Sequence, residues 1–268
     1  MNQAQRQLFL IQHLLAEQKY EDIKIPGSST EQKRLLRSLM NVRMPAPMDS
    51  EFLRVQDAYL REETEQKGIT ELADLTPAED GIYLWKGDIT TLRCDAIVNA
   101  ANSGMTGCYV PCHACIDNCI HTFAGVQLRL ACAELMKRQG HEEAAGTAKI
   151  TPAYNLPCCY VLHTVGPIVD GKVTRQDERL LASCYRSCLA LAEQNHITSV
   201  AFCCISTGVF HFPNYRAAEI AVRTVREYRA ETHSKIEVIF NVFKDEDYKI
   251  YRGLLGTDQK AERKAGRC

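Results

Sequence analysis

Three residues with metal-binding side chains fall within a short stretch of the chain: Cys108, His113 and Cys115. The same stretch contains Gly107 and Pro111, which are typical of an ordered loop rather than of a helix or strand. Thiolate sulfur and imidazole nitrogen are ligands that zinc prefers in proteins. The spacing therefore predicts a zinc site on this loop, and a purely redox role for the cysteines is the weaker interpretation.

The number of ligands determines what such a zinc ion does. Structural zinc is closed by four protein ligands, whereas catalytic zinc has three and leaves one position for water or substrate. Cys112 and Cys119 are each candidates for a fourth ligand. Cys112 directly precedes His113, and adjacent side chains rarely point to one ion, whereas Cys119 lies where the next helix begins and is geometrically suitable. The sequence favours an open site and keeps the closed site as an alternative.

Polar loops follow three of the apolar runs that read as strands. Asn99 and Asn102 follow the run at residues 96–98, Asp88 follows an earlier run, and Ser-Thr-Gly-Val-Phe at 206–210 follows a later one. Ligands bind outside the carboxyl ends of strands in open α/β sheets, and small residues before a helix present backbone N–H groups to anions. The loops are therefore candidates for binding a sugar and a phosphate. For each loop taken alone, an ordinary turn is the alternative.

Apolar runs and helical patterns alternate around these loops. Residues 1–80 are predicted to form helices packed on the main domain, with choice of a protein partner as the alternative role. Strands then alternate with helical segments, one of them over 118–139, which predicts a three-layer α/β/α domain with a mixed sheet. The predicted units are a helical extension at 1–80, a main domain at 81–255 with its zinc loop at 107–118, and a charged tail at 256–268.

Composition and charge argue against several classes of protein. The chain has 268 residues, a formal net charge of −1 and 13 cysteines. Near-neutral charge without a basic run argues against nucleic-acid binding. The amino-terminal stretch has polar residues within its apolar part, so it is predicted to be neither a signal peptide nor a membrane span, and a cytoplasmic location is expected. The histidines outside the cluster, among them His121 and His163, are predicted to be surface or hydrogen-bonded core residues.

Two motifs at this separation resemble the macrodomain family. Gly-Asp-Ile-Thr at 87–90, followed by Asp-Ala-Ile-Val-Asn-Ala-Ala-Asn at 95–102, resembles the opening of that family, and residues 206–210 resemble its second diphosphate loop. The sequence Gly-Cys-Tyr-Val-Pro-Cys-His-Ala-Cys-Ile-Asp-Asn at 107–118 looks like the zinc-dependent subclass. That subclass also carries a helical amino-terminal extension like residues 1–80. The resemblance covers the whole predicted main domain.

The resemblance implies binding of ADP-ribose and hydrolysis of mono-ADP-ribose from modified protein side chains, with ester-linked carboxylates as the expected attachment and one zinc ion per chain. Carried over, Asp88 meets the adenine amino group, Ile89 supplies a backbone contact, Asn102 binds the distal ribose, and residues 206–210 wrap the diphosphate. The implied ligand-binding residues are Asp88, Ile89, Asn99, Asn102, Ser206, Thr207, Gly208, Val209 and Phe210. The implied catalytic groups are Asn102 and, through zinc, the metal ligands Cys108, His113 and Cys115.

The resemblance also implies partners. In bacteria the zinc-dependent subclass is often encoded beside a sirtuin-type ADP-ribosyltransferase and a lipoylated carrier that resembles the glycine-cleavage H protein, so a modified carrier is the implied substrate.

Whether zinc activates water or positions the ribose stays open, and positioning is favoured because two thiolates make zinc a milder acid. The alternative function is a reader that binds ADP-ribose without cleaving it, with zinc bracing a loop.

Overall fold

A seven-stranded sheet forms the centre of the structure, a computed structural model that describes residues 1–256. The strands are β1 (Thr70–Glu71), β2 (Pro77–Glu79), β3 (Ile82–Lys86), β4 (Leu92–Arg93), β5 (Ala96–Ala101), β6 (Ala148–Pro152), β7 (Tyr160–Val165), β8 (Ser199–Phe202) and β9 (Glu237–Val242). Their order across the sheet is β2-β3-β9-β8-β5-β7-β6, while β1 and β4 form a separate short pair. The five central strands run parallel and the two edge strands run antiparallel to their neighbours, so the sheet is mixed as predicted.

Helices cover both faces of the sheet. They are α1 (Gln3–Glu17), α2 (Ser29–Val42), α3 (Ser50–Lys67), α4 (Ile116–Ala124), α5 (Val126–Gln139), α6 (Arg175–Gln194), α7 (Asn214–Thr232) and α8 (Asp245–Leu254). Side chains alternate along β7: His163 contacts Cys132 on α5, and Thr164 contacts Cys184 on α6. Helices α4 and α5 therefore lie on one face and α6 on the other, with α7 and α8 packed in series beside α6. This confirms the predicted three-layer α/β/α architecture.

The three amino-terminal helices form a layer with its own apolar core. Asn2, Ser28 and Asp49 cap α1, α2 and α3, each accepting a hydrogen bond from a backbone N–H in the first turn. Leu10 and Phe52 are among the residues buried between these helices. Helices α2 and α3 also pack on α4 of the main domain, so the extension covers the outer side of that helix.

The segment 118–139 is helical as predicted, and it is divided into two helices, α4 and α5. Gly125 separates them with φ of 99°, a conformation that glycine adopts readily. The side chain of Gln56 on α3 accepts a hydrogen bond from the Val126 N–H at 3.0 Å, which caps α5. Gly125 therefore marks the break between the helices, and the extension supplies the cap for the second one.

Three further findings bear on the sequence predictions. The predicted charged tail lies outside the described residues, apart from Gly256. Between residues 1 and 256, no helix is both long and apolar enough to cross a bilayer. The 12 cysteines in that part of the chain are all free thiols.

Candidate active site

The carboxyl ends of the central strands meet at one edge of the sheet because β3, β9, β8 and β5 run parallel. Asp88 follows β3, Asn102 follows β5, and residues 206–210 follow β8. The parallel sheet thus brings together the three polar loops that the sequence singled out. The loop at 107–118, here called the metal loop, leads from the end of β5 into α4.

Cys108, His113 and Cys115 converge within the metal loop. Their ligand atoms all lie within 4.8 Å of one another, and the three residues are half-buried. The Cys108 Sγ lies 3.6 Å from the His113 Nδ1. In a tetrahedral site with Zn–S of about 2.3 Å and Zn–N of about 2.0 Å, sulfur and nitrogen lie about 3.6 Å apart. The donor set and its spacing therefore fit zinc.

Cys112 and Cys119 turn away from this group. The Cys112 sulfur lies 3.2 Å from the Ser38 Oγ and its thiol donates to the Arg34 carbonyl at 3.4 Å, both on α2. The Cys119 sulfur accepts a hydrogen bond from the Arg37 guanidinium at 3.4 Å. Neither sulfur belongs to the cluster of possible ligands, which favours a site with three protein ligands.

Burial controls the charge of the thiols near the metal loop. It raises the pKa of the Cys115 thiol to about 12, although the Asn118 backbone N–H acts in the opposite direction. Burial also raises the pKa of Cys119, and Arg37 partly offsets that rise. A thiol with so high a pKa remains protonated at neutral pH until a bound cation replaces its proton. Cation binding at Cys115 is therefore coupled to proton release.

Asn102 is held by both ends of its carboxamide. Its Oδ1 accepts a hydrogen bond from the Gly104 N–H at 3.1 Å. Its Nδ2 donates to the Gly107 carbonyl at 3.1 Å and to the Asp117 Oδ2 at 3.3 Å. These bonds join the end of β5 to the start of the metal loop and to α4. The Oδ1 retains a second lone pair that a ligand hydroxyl could use.

Asn99 lies beneath the site, with its side chain fully buried. Its Nδ2 donates to the Asp117 Oδ1 at 2.8 Å and lies 3.2 Å from the His163 Nδ1. Because the amide donates, the His163 Nδ1 accepts, and its Nε2 carries the proton toward the Thr151 hydroxyl 2.9 Å away. Asn99 thus connects the sheet interior to Asp117, and through Asp117 to Asn102.

Asp88 caps the short helical turn that follows it. Its Oδ1 accepts from the Thr90 N–H at 3.0 Å and from the Thr90 hydroxyl at 2.6 Å. Its Oδ2 lies 3.3 Å from the Lys67 Nζ at the end of α3. The Asp88 side chain is 38% exposed, so the carboxylate reaches the surface, whereas Ile89 is buried and can offer a ligand only its backbone.

The loop at 206–210 presents backbone donors at its tip. Ser206 has φ of 64° and is buried, and its carbonyl accepts from the Phe212 N–H at 3.0 Å. Gly208 and Val209 are exposed. Among residues 1–256, the backbone N–H groups of Gly208, Val209 and Phe210 donate to no protein group. This arrangement is suited to binding an anion.

Comparison with known proteins agrees with this geometry. The profile of the Macro domain family matches residues 98–221. A protein-ADP-ribose hydrolase of Treponema medium is 60% identical over 260 residues, which cover 95% of this chain and 100% of that relative. The chain belongs to the macrodomain family.

Solved macrodomain structures share the fold. A macrodomain of Oceanobacillus iheyensis with ADP is 34% identical, with a TM-score of 0.61 over 70% of this chain and 96% of that one. A Trypanosoma brucei macrodomain in complex with ADP-ribose is 28% identical, with a TM-score of 0.64 over 86% of this chain and 97% of that one. The sheet and its flanking helices therefore form a macrodomain.

Two residues beside these loops do not follow from the sequence reasoning. Phe243 directly follows β9, opposite the loop after β3, and is 76% exposed. An aromatic residue at the end of the last strand was the available signal for it. Asp117 is the other, because its bonds to Asn99 and Asn102 have no signature in local spacing.

A second group of possible ligands lies in the macrodomain core behind the metal loop. His121, Cys132 and His163 are fully buried with their ligand atoms within 4.8 Å of one another. The nitrogens of His163 are engaged by Asn99 and Thr151, whereas neither His121 nitrogen has a hydrogen-bond partner among the described residues. The prediction of a surface or hydrogen-bonded core histidine is therefore wrong for His121. Its ring packs under Gly107, where a Cβ would lie 2.8 Å from the imidazole.

Proposed function

We propose that this macrodomain is a zinc-dependent hydrolase that releases mono-ADP-ribose from modified protein side chains. The names of its relatives support the reaction class, since the Treponema medium relative is a protein-ADP-ribose hydrolase. The observation that carries the proposal is the hydrogen bond from Asn102 to the Gly107 carbonyl. It joins the group proposed to bind the distal ribose to the residue directly before Cys108, a proposed zinc ligand.

The proposed ligand spans the carboxyl edge of the sheet. The free N–H groups of Gly208, Val209 and Phe210 bind the diphosphate, and the Asp88 carboxylate accepts from the adenine amino group. Phe243 stands across from the Asp88 loop and supplies a flat apolar surface for the adenine ring. Asn102 binds the distal ribose at the opposite end of the ligand. Asn99 is fully buried, so it supports the site by donating a hydrogen bond to Asp117 and does not contact the ligand itself.

Cleavage at the ribose anomeric carbon proceeds through an oxocarbenium-like state. Zinc held by Cys108, His113 and Cys115 would supply Lewis-acid polarisation of an oxygen ligand. Asn102 orients the sugar, because its three hydrogen bonds fix the carboxamide before the ligand arrives. A polar group that is fixed in advance needs no reorganisation during the reaction, which lowers the barrier.

The substrate side of the proposal rests on the family resemblance. We propose that the scissile bond is an ester to a carboxylate side chain, and that the modified protein is a lipoylated carrier paired with a sirtuin-type transferase. The cytoplasmic location likewise remains a prediction from the sequence. Both points are tested by measuring ADP-ribose release by one enzyme preparation from several defined proteins, each carrying ADP-ribose as an ester.

The deciding experiment measures ADP-ribose released from a protein that is mono-ADP-ribosylated on carboxylate side chains. The full-length chain is assayed as purified, after treatment with a zinc chelator, and after zinc is restored. We expect release to fall on chelation and to return with zinc. Cys108→Ser should abolish release, while the matched change Cys112→Ser should not, because the Cys112 sulfur faces α2.

Two results would redirect the proposal. Full release of ADP-ribose by a preparation shown to lack zinc would show that the reaction does not need the metal. Tight ADP-ribose binding without release from any ester-linked substrate would assign the chain to the reader class, with zinc as a brace.

A further inference from the structure

Side chains on α2 of the helical extension form hydrogen bonds with the metal loop. The Nη2 of Arg37 donates to the main-chain carbonyl of His113 at 2.7 Å, to the Asn118 Oδ1 at 2.9 Å, and to the Cys119 sulfur at 3.4 Å. One guanidinium nitrogen therefore joins the backbone of a proposed metal ligand to the first turn of α4. These partners are separated from Arg37 by 76 to 82 positions in the sequence.

Asn41, one turn further along α2, holds the middle of the metal loop. Its Oδ1 accepts a hydrogen bond from the Cys112 N–H at 2.9 Å. Its Nδ2 donates to the Thr122 hydroxyl on α4 at 2.9 Å. Cys112 has φ of 54°, a backbone conformation that few residues other than glycine adopt without an external constraint. The bond from Asn41 supplies such a constraint directly before His113.

Arg129 on α5 ties the two segments together from the other side. Its Nη1 donates to the carbonyls of Asn41 and Arg43, each at 2.6 Å, at the carboxyl end of α2. Its Nη2 reaches the Cys108 carbonyl at 3.4 Å, and its guanidinium lies 4.2 Å from the centre of the Tyr109 ring. Two of the three proposed ligands, Cys108 and His113, are thus held through their main-chain carbonyls.

Placing the Arg37 guanidinium between α2 and α4 costs solvation free energy, and packing of the two helices alone would not require that cost. The Nε of Arg37 is buried without a hydrogen-bond partner among residues 1–256, so the side chain has given up water for its bonds to the metal loop and α4. An apolar residue on α2 would cover α4 without that cost. The placement of Arg37 therefore indicates a requirement for a fixed loop conformation.

We infer that the helical extension is a structural part of the metal centre and that Arg37 is a positioning residue for zinc binding. The inference rests on the proposed zinc site. A loop whose ligands already converge loses less conformational entropy when the ion binds, so its affinity is higher. Groups that orient metal ligands typically change metal affinity by about 10- to 100-fold when removed. Without Arg37, the metal loop would sample arrangements in which His113 and the two cysteines do not meet.

The test compares zinc affinity in full-length variants by competition with a chromophoric chelator. We expect Arg37→Gln to weaken zinc binding by about tenfold or more. Arg34→Gln is the matched control, since Arg34 is an exposed arginine on the same helix and only its carbonyl contacts the metal loop. It should change zinc affinity less than about twofold. Arg37→Lys should restore part of the affinity, because an ammonium can still donate to the His113 carbonyl.

A second readout separates positioning from general stability. The zinc-free Arg37→Gln protein should melt somewhat below the zinc-free wild type, because the His113 and Asn118 acceptors lose their donor, but it should remain folded at the assay temperature and its ADP-ribose affinity should match that of the zinc-free wild type. The visible spectrum of bound Co²⁺ should change, because it reports ligand geometry. If Arg37→Gln lowers the yield of folded protein, the milder Asn41→Ser variant removes the acceptor for Cys112 and should weaken zinc binding in the same direction.

The outcomes are distinct for the inference and for the proposed function. Unchanged zinc affinity and an unchanged Co²⁺ spectrum in both variants would overturn the role of α2 while leaving the zinc site in place. Zinc loss that only follows a general loss of thermal stability would overturn it as well. Failure of the wild-type chain to bind zinc would instead overturn the proposed function, and with it the basis of this inference.

Discussion

The Asp117 carboxylate accepts hydrogen bonds from two asparagine amides, with Asn102 at 3.3 Å on one oxygen and Asn99 at 2.8 Å on the other. Asp117 lies two residues after Cys115 in the first turn of α4. It therefore connects the metal loop to the group proposed to orient the ribose. Burial raises its pKa to about 6, and the hydrogen bond from Asn99 acts in the opposite direction.

We expect Asp117→Asn to impair turnover more than ligand binding. An amide at this position can accept from one of the two asparagines but presents a donor to the other, so one amide loses its partner. The free energy of unfolding should fall by about 1–3 kcal/mol. The kcat for ADP-ribose release should fall about tenfold or more, because Asn102 is no longer fixed. Steady-state kinetics and chemical denaturation measure both effects.

Asp57→Asn is the control for that variant. Asp57 also accepts from side-chain amides, those of Gln127 at 3.0 Å and Asn155 at 2.7 Å, but it lies on α3. Both amides donate to the Asp57 Oδ1, and an asparagine oxygen can accept in its place, so this variant should lose less stability than Asp117→Asn and should retain kcat. Wild-type kcat in Asp117→Asn would show that Asp117 does not position Asn102 for the reaction.

The second prediction concerns which cysteines hold the metal. Cys115→Ser should lose stoichiometric zinc and lower ADP-ribose release by more than about 100-fold, because it removes a ligand directly. Cys119→Ser should keep one zinc per chain and near-normal release, since the Cys119 sulfur meets Arg37 rather than the ligand group. Elemental analysis of the purified variants gives the metal content. Equal zinc loss in both variants would mean that Cys119 belongs to the coordination sphere.

Much of this site follows from local sequence. The apolar runs ending at polar loops correctly indicate the strands, and parallel pairing then places their carboxyl ends together. The close spacing of Cys108, His113 and Cys115 needs only a short loop for the three side chains to meet.

What the sequence does not reveal depends on distant contacts. Arg37 and His113 are 76 positions apart, and no local periodicity encodes their hydrogen bond. The cap on α5 has the same origin, because the side chain of Gln56 on α3 accepts from the Val126 N–H. Asn99 and His163 meet only because β5 and β7 pair in register. Such contacts appear once the chain is folded.

The third prediction tests Phe243 as the adenine platform. Stacking on an aromatic side chain is worth about 1–3 kcal/mol per base. Phe243→Ala should therefore weaken ADP-ribose binding about 5- to 150-fold, while kcat at saturating substrate changes little. Phe243→Tyr should bind nearly as well as the wild type, because it keeps the ring. Tyr215→Ala on α7 removes a comparably exposed aromatic and should leave affinity unchanged, as calorimetric titration would show.

The last prediction concerns the support of the proposed diphosphate loop. A Cβ on Gly166 would lie 2.0 Å from the Ser206 Oγ and 2.8 Å from the Ile205 Cγ2, so Gly166→Ala must displace these two side chains at the start of the loop. We expect ADP-ribose affinity to fall about tenfold and the free energy of unfolding to fall by about 1–3 kcal/mol. Gly253→Ala on α8 meets no atom within 4 Å and should instead add about 0.5–1 kcal/mol of stability without changing affinity. Normal affinity in Gly166→Ala would show that the packing of Gly166 against Ser206 does not support diphosphate binding.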